Sequence, residues 1–270
     1  MVYYSRKQVA LQADSPLHFY CFYFTIIPMS ICASIALCFI PLLALYICFL
    51  LLVRGFSKLQ GLLACLYGLL SLIPIEAILI LISFFMPSKR TGPALTLLRM
   101  IIINGVIEEG AKAAFLFLLP AKKTEKGTFL VYSLLCGLSL GCLETLIYFI
   151  NGNRSVEIRI FTAVAIHTLC AALSGIFVYS AKHKNAKIIT FLFAILFHGV
   201  YNYFASLDAP LHYFSYAVIV IAALECKLRF SSVKIKKQNG DTNMSEKKSL
   251  FGKFKNLFAK KDETKEEIPE

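Results

Sequence analysis

The sequence contains few charged residues. Asp, Glu, Lys and Arg make up only 16% of its 270 residues, whereas 58% are hydrophobic. Residues 18–53 contain none of the four charged types, and this stretch is longer than the roughly 20 residues that a helix needs to cross a bilayer. The shortage of charge excludes an ordinary soluble domain and indicates a polytopic membrane protein.

Several common signatures are also missing. The chain has no nucleophile elbow, Walker loop or His-Glu-x-x-His pattern, so nothing points to those enzyme classes. Its nine cysteines have no metal-ligand spacing and lie in or beside apolar blocks, so we interpret them as small buried hydrophobic residues. The first apolar run is too long for a signal-peptide core and lacks a small-residue cleavage pattern, so no removed leader is expected.

Apolar blocks separated by short polar segments predict the fold class. We predict an all-α, polytopic transmembrane helical bundle of seven spans, or eight if the first block forms a tight pair. We favour one span in that block, at roughly 27–53, after an interfacial aromatic segment at 18–24. The blocks are 18–53, 59–86, 93–119, 128–150, 159–181, 187–206 and 210–226.

Loop charge predicts the orientation of the bundle. We expect a polar N-terminus at 1–17, a transmembrane domain at 18–226 and a basic tail at 227–270 that carries 12 basic and 7 acidic residues. In the seven-span arrangement the loops on the tail side hold eight Lys and Arg against six opposite, and in the eight-span arrangement ten against four. The positive-inside rule therefore predicts a multi-pass protein of the cell membrane with a cytoplasmic tail.

The tail accounts for much of the net charge of +12, so we infer no nucleic-acid partner. Apolar residues at helical spacing near 250–258 could place an amphipathic helix on the anionic inner leaflet, or this part of the tail could be fully solvated.

Ionisable residues inside five of the blocks are unexpected, because each costs on the order of 3 kcal/mol at mid-membrane on insertion scales. The third block holds Glu108, Glu109 and Lys112, and Asn104 is predicted to share a helical stripe with Glu108 and Lys112. In the fourth block, Gly137 and Gly141 predict a face for close helix packing. The other polar residues in the blocks that we take as candidates are Glu76, Glu144, Tyr148, His167, His198 and Asn202.

Four of these residues lie at a similar depth. Glu108, Glu144, His167 and His198 lie six to eight residues from the outer ends of their spans, or roughly 9–12 Å below the outer membrane boundary. Glu76 is slightly deeper, at ten residues, and could instead satisfy backbone groups freed by Pro74. The shared level predicts a polar site in the outer half of the membrane.

Two kinds of chemistry fit two glutamates and two histidines. A carboxylate helped by a neutral imidazole can remove a proton from water, or Glu108, Glu144, His167 and His198 can bind a divalent metal such as zinc. Both routes lead to hydrolysis. From the sequence we place metal-free glutamate catalysis ahead of the metal and leave both open.

The motifs resemble those of one protease family. The segments "EEGAK" (108–112), "GCLETLIY" (141–148), His167 with Gly175, and "HGVYN" (198–202) follow one another on successive blocks. In this order they resemble the PrsW family of intramembrane proteases, which is similar to the type II CAAX prenyl endopeptidases and Abi proteins. The resemblance covers roughly 35–206, and Lys112, where CAAX-type relatives carry Arg, favours the PrsW branch.

The resemblance implies a role for each matched residue. Glu108 and Glu109 would be the catalytic glutamates, and His167 would help them to activate water. His198 with Asn202 would bind the oxyanion or a metal. The supporting residues would be Lys112, Glu144 and Tyr148, with Lys112 holding the charge of a glutamate. Thr145 stands where the family pattern leads us to expect Asn, which leaves the role of Glu144 open.

The resemblance also implies a substrate. The transmembrane domain would cut a membrane-embedded protein, such as a membrane-anchored anti-sigma factor, on the extracytoplasmic side. Two alternatives stay open. Paired carboxylates and histidines also make the proton relays of transporters, although no inverted repeat is detectable in the chain. The glycine faces and the tail could instead belong to a scaffold without catalytic activity.

Overall fold

The computed structural model describes residues 31–53, 55–85, 92–122, 124–152 and 156–230, and over these ranges it is helical without a β-strand. The aromatic segment at 18–24 and the amphipathic part of the tail lie outside the described residues. The helices are α1 (Ile31–Leu52), α2 (Lys58–Phe85), α3 (Pro93–Met100), a π-helical turn (Ile101–Val106), α4 (Ile107–Leu116), α5 (Lys126–Ile150), α6 (Val156–Phe161), α7 (Ala163–Lys182), α8 (Ile188–Ala205) and α9 (Leu211–Phe230).

The all-helical, membrane-type architecture is confirmed. Among the described residues, six helices are long and apolar enough to span a membrane: α1, α2, α5, α6 with α7, α8 and α9. The third predicted span is composite, because α3, the π-helical turn and α4 follow one another and each is shorter than 18 residues. The total of seven or eight spans therefore remains a prediction. α1 runs as one helix through Pro41, as we favoured.

The interior of the bundle is built on α5 and α7. Over an apolar stretch of 18 residues in each of these spans, 67% of the residues are buried, against 6% in α1 and 17% in α2. The contact between α5 and α7 is close because Gly137 packs on the backbone carbonyl of His167 and on Ala171, and Gly175 packs on Ser133. Small residues allow such approach between membrane helices, so the predicted glycine face on the fourth block is confirmed.

A second small-residue face holds α2 against α5. The buried residues of α2 recur at heptad spacing, from Gly61 to Ile75, as in a helix that packs along one seam. At the centre of this seam Gly68 contacts Ser139 and the carbonyl of Cys136. The Ser139 hydroxyl also donates a hydrogen bond of 2.8 Å to the carbonyl of Cys65. Because the seam packs on α5, it fixes the rotation of α2 about its own axis. The rotation in turn decides which side chains of α2, next to the seam, face the interior of the bundle.

The π-helical turn interrupts the third predicted span just before its glutamates. It packs tightly against α8, where Gly105 contacts the carbonyl of Ile195 and Gly199 contacts the backbone of Ile101. A π-helical turn changes the angular register of the residues on either side of it. The stripe predicted for Asn104, Glu108 and Lys112 assumed a regular α-helix, whereas Asn104 lies within the turn, so the place of Asn104 on the stripe stays a prediction.

The chain divides into two units, Met1–Ala223 and Leu224–Glu270. All of the contacts discussed below lie in the first unit. The described part of the second unit, residues 224–230, continues as helix and contains an ion pair of 2.6 Å between Arg229 Nε and Glu225 Oε1.

Candidate active site

Three side chains from three helices meet at the centre of the bundle. Glu108 of α4, His167 of α7 and His198 of α8 each offer a ligand atom, and these atoms all lie within 4.8 Å of one another. His198 Nε2 is 3.3 Å and His167 Nδ1 is 3.8 Å from the same oxygen, Glu108 Oε2. All three side chains are buried. We call these residues the central triad.

Glycines allow the helices to bring the triad together. A Cβ at Gly141 of α5 would lie 2.9 Å from Val164 Cα and 3.3 Å from His167 Cβ, so α7 could not come this close to a larger residue. Gly199 follows His198 directly and packs on Ile101 of the π-helical turn. The side chain of His198 thereby reaches the start of α4, where Glu108 lies in the first turn.

Each histidine has one ring nitrogen that faces Glu108, which we call its inner nitrogen, and one that faces away from Glu108, its outer nitrogen. The outer nitrogen of each histidine faces a second carboxylate. His198 Nδ1 lies 2.8 Å from Glu109 Oε1, and His167 Nε2 forms a short hydrogen bond with Glu144 Oε2. An ionised carboxylate only accepts hydrogen bonds, so each of these ring nitrogens carries the proton and donates it. The opposite nitrogens, His198 Nε2 and His167 Nδ1, then present lone pairs towards Glu108.

These two inner nitrogens are orphaned. Both are buried, and neither has a hydrogen-bond partner within the described part of the chain. A buried polar atom without a partner is costly, and two lone pairs that face a carboxylate oxygen repel it. A divalent cation between the three atoms would satisfy all of them. Two imidazoles and a carboxylate form a ligand set known from catalytic zinc sites, so these residues fit a metal.

The carboxylate behind His198 belongs to a fully buried group that we call the inner arm: Glu109, Lys112 and Ser174. Lys112 Nζ forms an ion pair with Glu109 Oε1, and both side chains are 0% exposed. The hydroxyl of Ser174 donates a hydrogen bond of 2.9 Å to Glu109 Oε2. A buried charge is tolerated when it is paired and hydrogen-bonded in this way. Both oxygens of Glu109 are therefore engaged.

The carboxylate behind His167 belongs to a second group, which we call the outer arm: Glu144, Arg159 and Tyr148. Arg159 Nη2 lies 3.3 Å from Glu144 Oε1, and the guanidinium of Arg159 lies 3.6 Å from the centroid of the Tyr148 ring. This distance is typical of a cation–π contact. Carboxylates that orient metal-binding histidines through the other ring nitrogen are a recurrent feature of metal sites.

The structure changes one expectation about the glutamate pair. The stripe placed Lys112 with Glu108, but Lys112 pairs with Glu109, three residues before it, because residues three apart on a helix are also neighbours. Glu109 also binds His198 of α8 and Ser174 of α7, so it anchors two neighbouring helices. The two consecutive glutamates contact opposite sides of one imidazole.

Other predicted residues lie further from the triad. Glu144 was a candidate metal ligand, but it occupies the outer nitrogen of His167, on the side away from Glu108. Tyr148 contacts the site only through Arg159. Asn202 is half-buried on α8, one turn after His198, and no contact joins it to the triad within the described ranges.

Sequence reasoning missed Ser174 and the site role of Arg159. Ser174 follows His167 by seven residues, which is two helical turns, so helical spacing alone could have placed both on one face of α7. Arg159 was counted only as a loop charge. The signal for its role was the presence of Glu144 inside a span, because a membrane-embedded carboxylate requires a cationic or hydrogen-bonding partner.

A small polar cavity adjoins the triad. It is lined by Glu76 of α2 together with Glu108, Glu144 and His167, and its other walls are leucine and isoleucine. Its volume admits about one water molecule. The cavity therefore offers a place for a water beside Glu108 and His167, two of the three triad members.

Comparison with known proteins agrees with this geometry. The family model described as PrsW family intramembrane metalloprotease matches residues 58–224, a range that contains the triad, both arms and the cavity. No curated protein and no solved structure shows significant similarity to the chain. The resemblance seen in the motifs is thus confirmed over more than half of the sequence, and the chain belongs to the PrsW family of intramembrane metalloproteases, as a multi-pass membrane peptidase.

Proposed function

We propose that the chain hydrolyses a peptide bond of a membrane-anchored protein at the central triad, with Glu108, His167 and His198 as the ligands of a divalent metal ion. The observation that carries the proposal is the pair of orphaned imidazole nitrogens that converge on Glu108 Oε2. We now place the metal ahead of metal-free catalysis, because the matching family is described as a metalloprotease and Glu108, His167 and His198 form a group that could hold an ion.

Zinc fits this donor set best. Catalytic zinc sites hold three protein ligands, commonly two histidines and a glutamate, and leave a fourth position for water. Charge supports a divalent ion as well. Among the described residues, four carboxylates, those of Glu76, Glu108, Glu109 and Glu144, surround the site with two cations, Lys112 and Arg159. Ionised carboxylates thus leave an excess negative charge that the metal would offset.

Each part of the site has a task in hydrolysis. A bound divalent metal lowers the pKa of water and polarises the peptide carbonyl. Glu109 and Glu144 keep the imidazoles in the tautomer and orientation that present their inner nitrogens. The other walls of the cavity are leucine and isoleucine, and apolar walls lower the local dielectric constant and strengthen the charge interactions beside them.

For the substrate we propose a membrane-embedded protein cut near the outer face of the membrane, in the manner of an anti-sigma factor. The support is the predicted depth of the triad in the outer half, together with the family resemblance. With the same predicted topology, the tail would lie in the cytoplasm. Family membership speaks against the transporter. A separation of more than about 10 Å between Glu108 and His198 would favour the scaffold, because a general base must reach its proton directly or through one water, but their polar atoms are 3.3 Å apart.

The test is reconstitution in liposomes with single-span reporter proteins whose juxtamembrane residues are varied and whose outer domain is fluorescent. The parent should release the domain, and H167A and H198A should lose at least about 100-fold in rate and lose bound metal. A chelator should stop cleavage, and added zinc should restore it. The matched control is H183A, which removes a histidine at the end of α7, outside the site.

Two outcomes would contradict different parts of the proposal, the site residues and the metal. Cleavage by H167A and H198A at the parental rate would contradict the site. Full activity of purified protein without bound metal would contradict the metal and leave the peptidase assignment in place.

A further inference from the structure

One carboxylate of the cavity has no assigned task. Glu76 of α2 lines the cavity with Glu108, Glu144 and His167, but it is not one of the three groups whose ligand atoms converge. Hydrolysis requires a group that takes a proton from water and later returns it to the leaving amine. This requirement makes each carboxylate near the water a candidate.

Three of the four carboxylates are already committed. Glu109 uses one oxygen for Lys112 and His198 and the other for Ser174. Glu144 uses one oxygen for His167 and the other for Arg159. Glu108 Oε2 faces both orphaned imidazole nitrogens. A carboxylate that holds a cation or a metal is a poor proton acceptor, because the positive charge stabilises its ionised form.

Glu76 differs from all of these. Within the residues that the structure describes, no hydrogen bond or ion pair engages its carboxylate, and the side chain is only partly buried. We propose that Glu76 is the general base of the peptidase, the residue that accepts a proton from the cavity water. The proposal rests on the proposed function, because it takes Glu108 as a metal ligand and therefore unable to serve as the base.

The fold of α2 supports this assignment. The heptad seam that ends at Ile75 packs α2 on α5, and Leu72, Glu76 and Leu79 form a stripe beside the seam that lines the cavity. Residues at this spacing share one helix face. Glu76 is thus carried by a helix whose rotation is set by backbone contacts at Gly68, which gives the base the fixed position that proton transfer needs.

Hydrolysis needs only water, the peptide and Glu76 as proton carrier. The water oxygen forms a bond to the peptide carbonyl carbon while the C=O π bond breaks and leaves its electron pair on the carbonyl oxygen. One O–H bond of the water breaks in the same step, and its proton passes to the Glu76 carboxylate. The C=O double bond then re-forms as the C–N bond breaks, and the Glu76 carboxyl group gives this proton to the departing nitrogen. The products are a carboxylic acid and an amine, and Glu76 is again ionised. No oxidant, reductant or further reactant is required.

The test compares E76Q, E76D and the control E157Q, in the liposome assay with the reporter that the parent cleaves fastest. Gln keeps the shape of the side chain and removes the basic oxygen. Glu157 is exposed on α6, so E157Q removes a carboxylate outside the cavity. Cleavage rate, bound zinc and capture of the reporter by crosslinking are measured for each variant.

We expect E76Q to lose at least about 100-fold in the maximal rate of cleavage, with bound zinc and reporter capture unchanged. E76D should recover part of the rate, and E157Q should match the parent. Cleavage by E76Q within about 3-fold of the parent would overturn the proposal. Loss of zinc from E76Q would also overturn it, by making Glu76 a ligand. Failure of the proposed function is distinct, because H167A and H198A would then cleave like the parent.

Discussion

The inner arm and the outer arm each orient one histidine of the central triad, but the inner arm is fully buried and the outer arm is partly exposed. In the inner arm the side chains of Glu109 and Lys112 are both 0% exposed, whereas in the outer arm those of Arg159 and Glu144 are 17% and 14% exposed. Water can replace a lost partner only where it has access. The difference teaches that removing one charge of the inner arm leaves its partner buried and unpaired at a large cost in stability, whereas the same change in the outer arm costs less stability.

The largest effect should come from breaking the inner arm with Lys112→Met. This change leaves Glu109 buried without its cation, which typically costs about 3–5 kcal/mol in the free energy of unfolding. We expect a large fall in the thermal unfolding midpoint in detergent and no cleavage. A variant that unfolds at the parental temperature would contradict the comparison of the two arms.

The double change Glu109→Leu with Lys112→Met tests whether the unpaired buried charge is the cause of the lost stability. Removing both charges leaves no unpaired buried ion, so much of the stability should return. Cleavage should remain absent, because His198 then lacks the carboxylate that orients it. Thermal unfolding and bound zinc, measured on the same samples, separate the two effects. Recovery of cleavage would show that Glu109 has no positioning role.

A smaller effect is expected from Arg159→Met in the outer arm. Glu144 would lose its cation but keep its hydrogen bond to His167, and a weakened orienting residue typically costs about 10–100-fold in activity or metal affinity. The thermal midpoint should fall less than in Lys112→Met. Arg99→Met, on α3 outside both arms, serves as the control. Unfolding as severe as that of Lys112→Met would show that the arms do not differ.

Ser174→Ala should have a milder effect on the inner arm. Glu109 would lose one hydrogen bond and retain Lys112 and His198, so the expected loss is about 1.5 kcal/mol in the free energy of unfolding. Ser206→Ala removes an exposed hydroxyl and should change little. Equal midpoints for the two variants would mean that the Ser174 hydrogen bond contributes nothing to the arm.

The smallest effect is expected from Tyr148→Leu. It removes the ring beneath Arg159, and a partly exposed cation–π contact contributes about 0.5–1 kcal/mol. Arg159 keeps Glu144, so cleavage should stay within about 5-fold of the parent. A loss as large as that of Arg159→Met would indicate that Tyr148, rather than Glu144, holds the guanidinium in place.

Much of this site was predictable from the chain. Glu108, His167 and His198 stand out because charged and imidazole groups inside apolar blocks are costly and need a reason. Counting residues from the block ends placed them at one depth, and the structure brings their polar atoms within 4.8 Å. The glycine face at Gly137 was also visible as a spacing, and the close contact there follows.

The partners of these residues were less predictable. Lys112 lies within reach of both Glu108 and Glu109 along a helix, and the choice of Glu109 depends on His198 and Ser174, which come from other helices. Asn104 was predicted on a regular helix, whereas the structure has a π-helical turn there, which packs closely on α8 at Gly105 and Gly199. Tertiary contacts of this kind leave little trace in the local spacing of residues.

The sequence alone determined that this is a helical membrane protein with glutamate and histidine inside its spans, because the bilayer penalises buried charge strongly enough for each exception to be visible. The peptidase assignment came from the resemblance of its motifs to the PrsW family, which the family model confirms. Only the tertiary structure decided which nitrogen meets which oxygen. It sorted four similar carboxylates into one proposed ligand, two orienting residues and Glu76. That sorting depends on distances of a few ångström between helices, and helix periodicity sets the direction of a side chain without setting its partner.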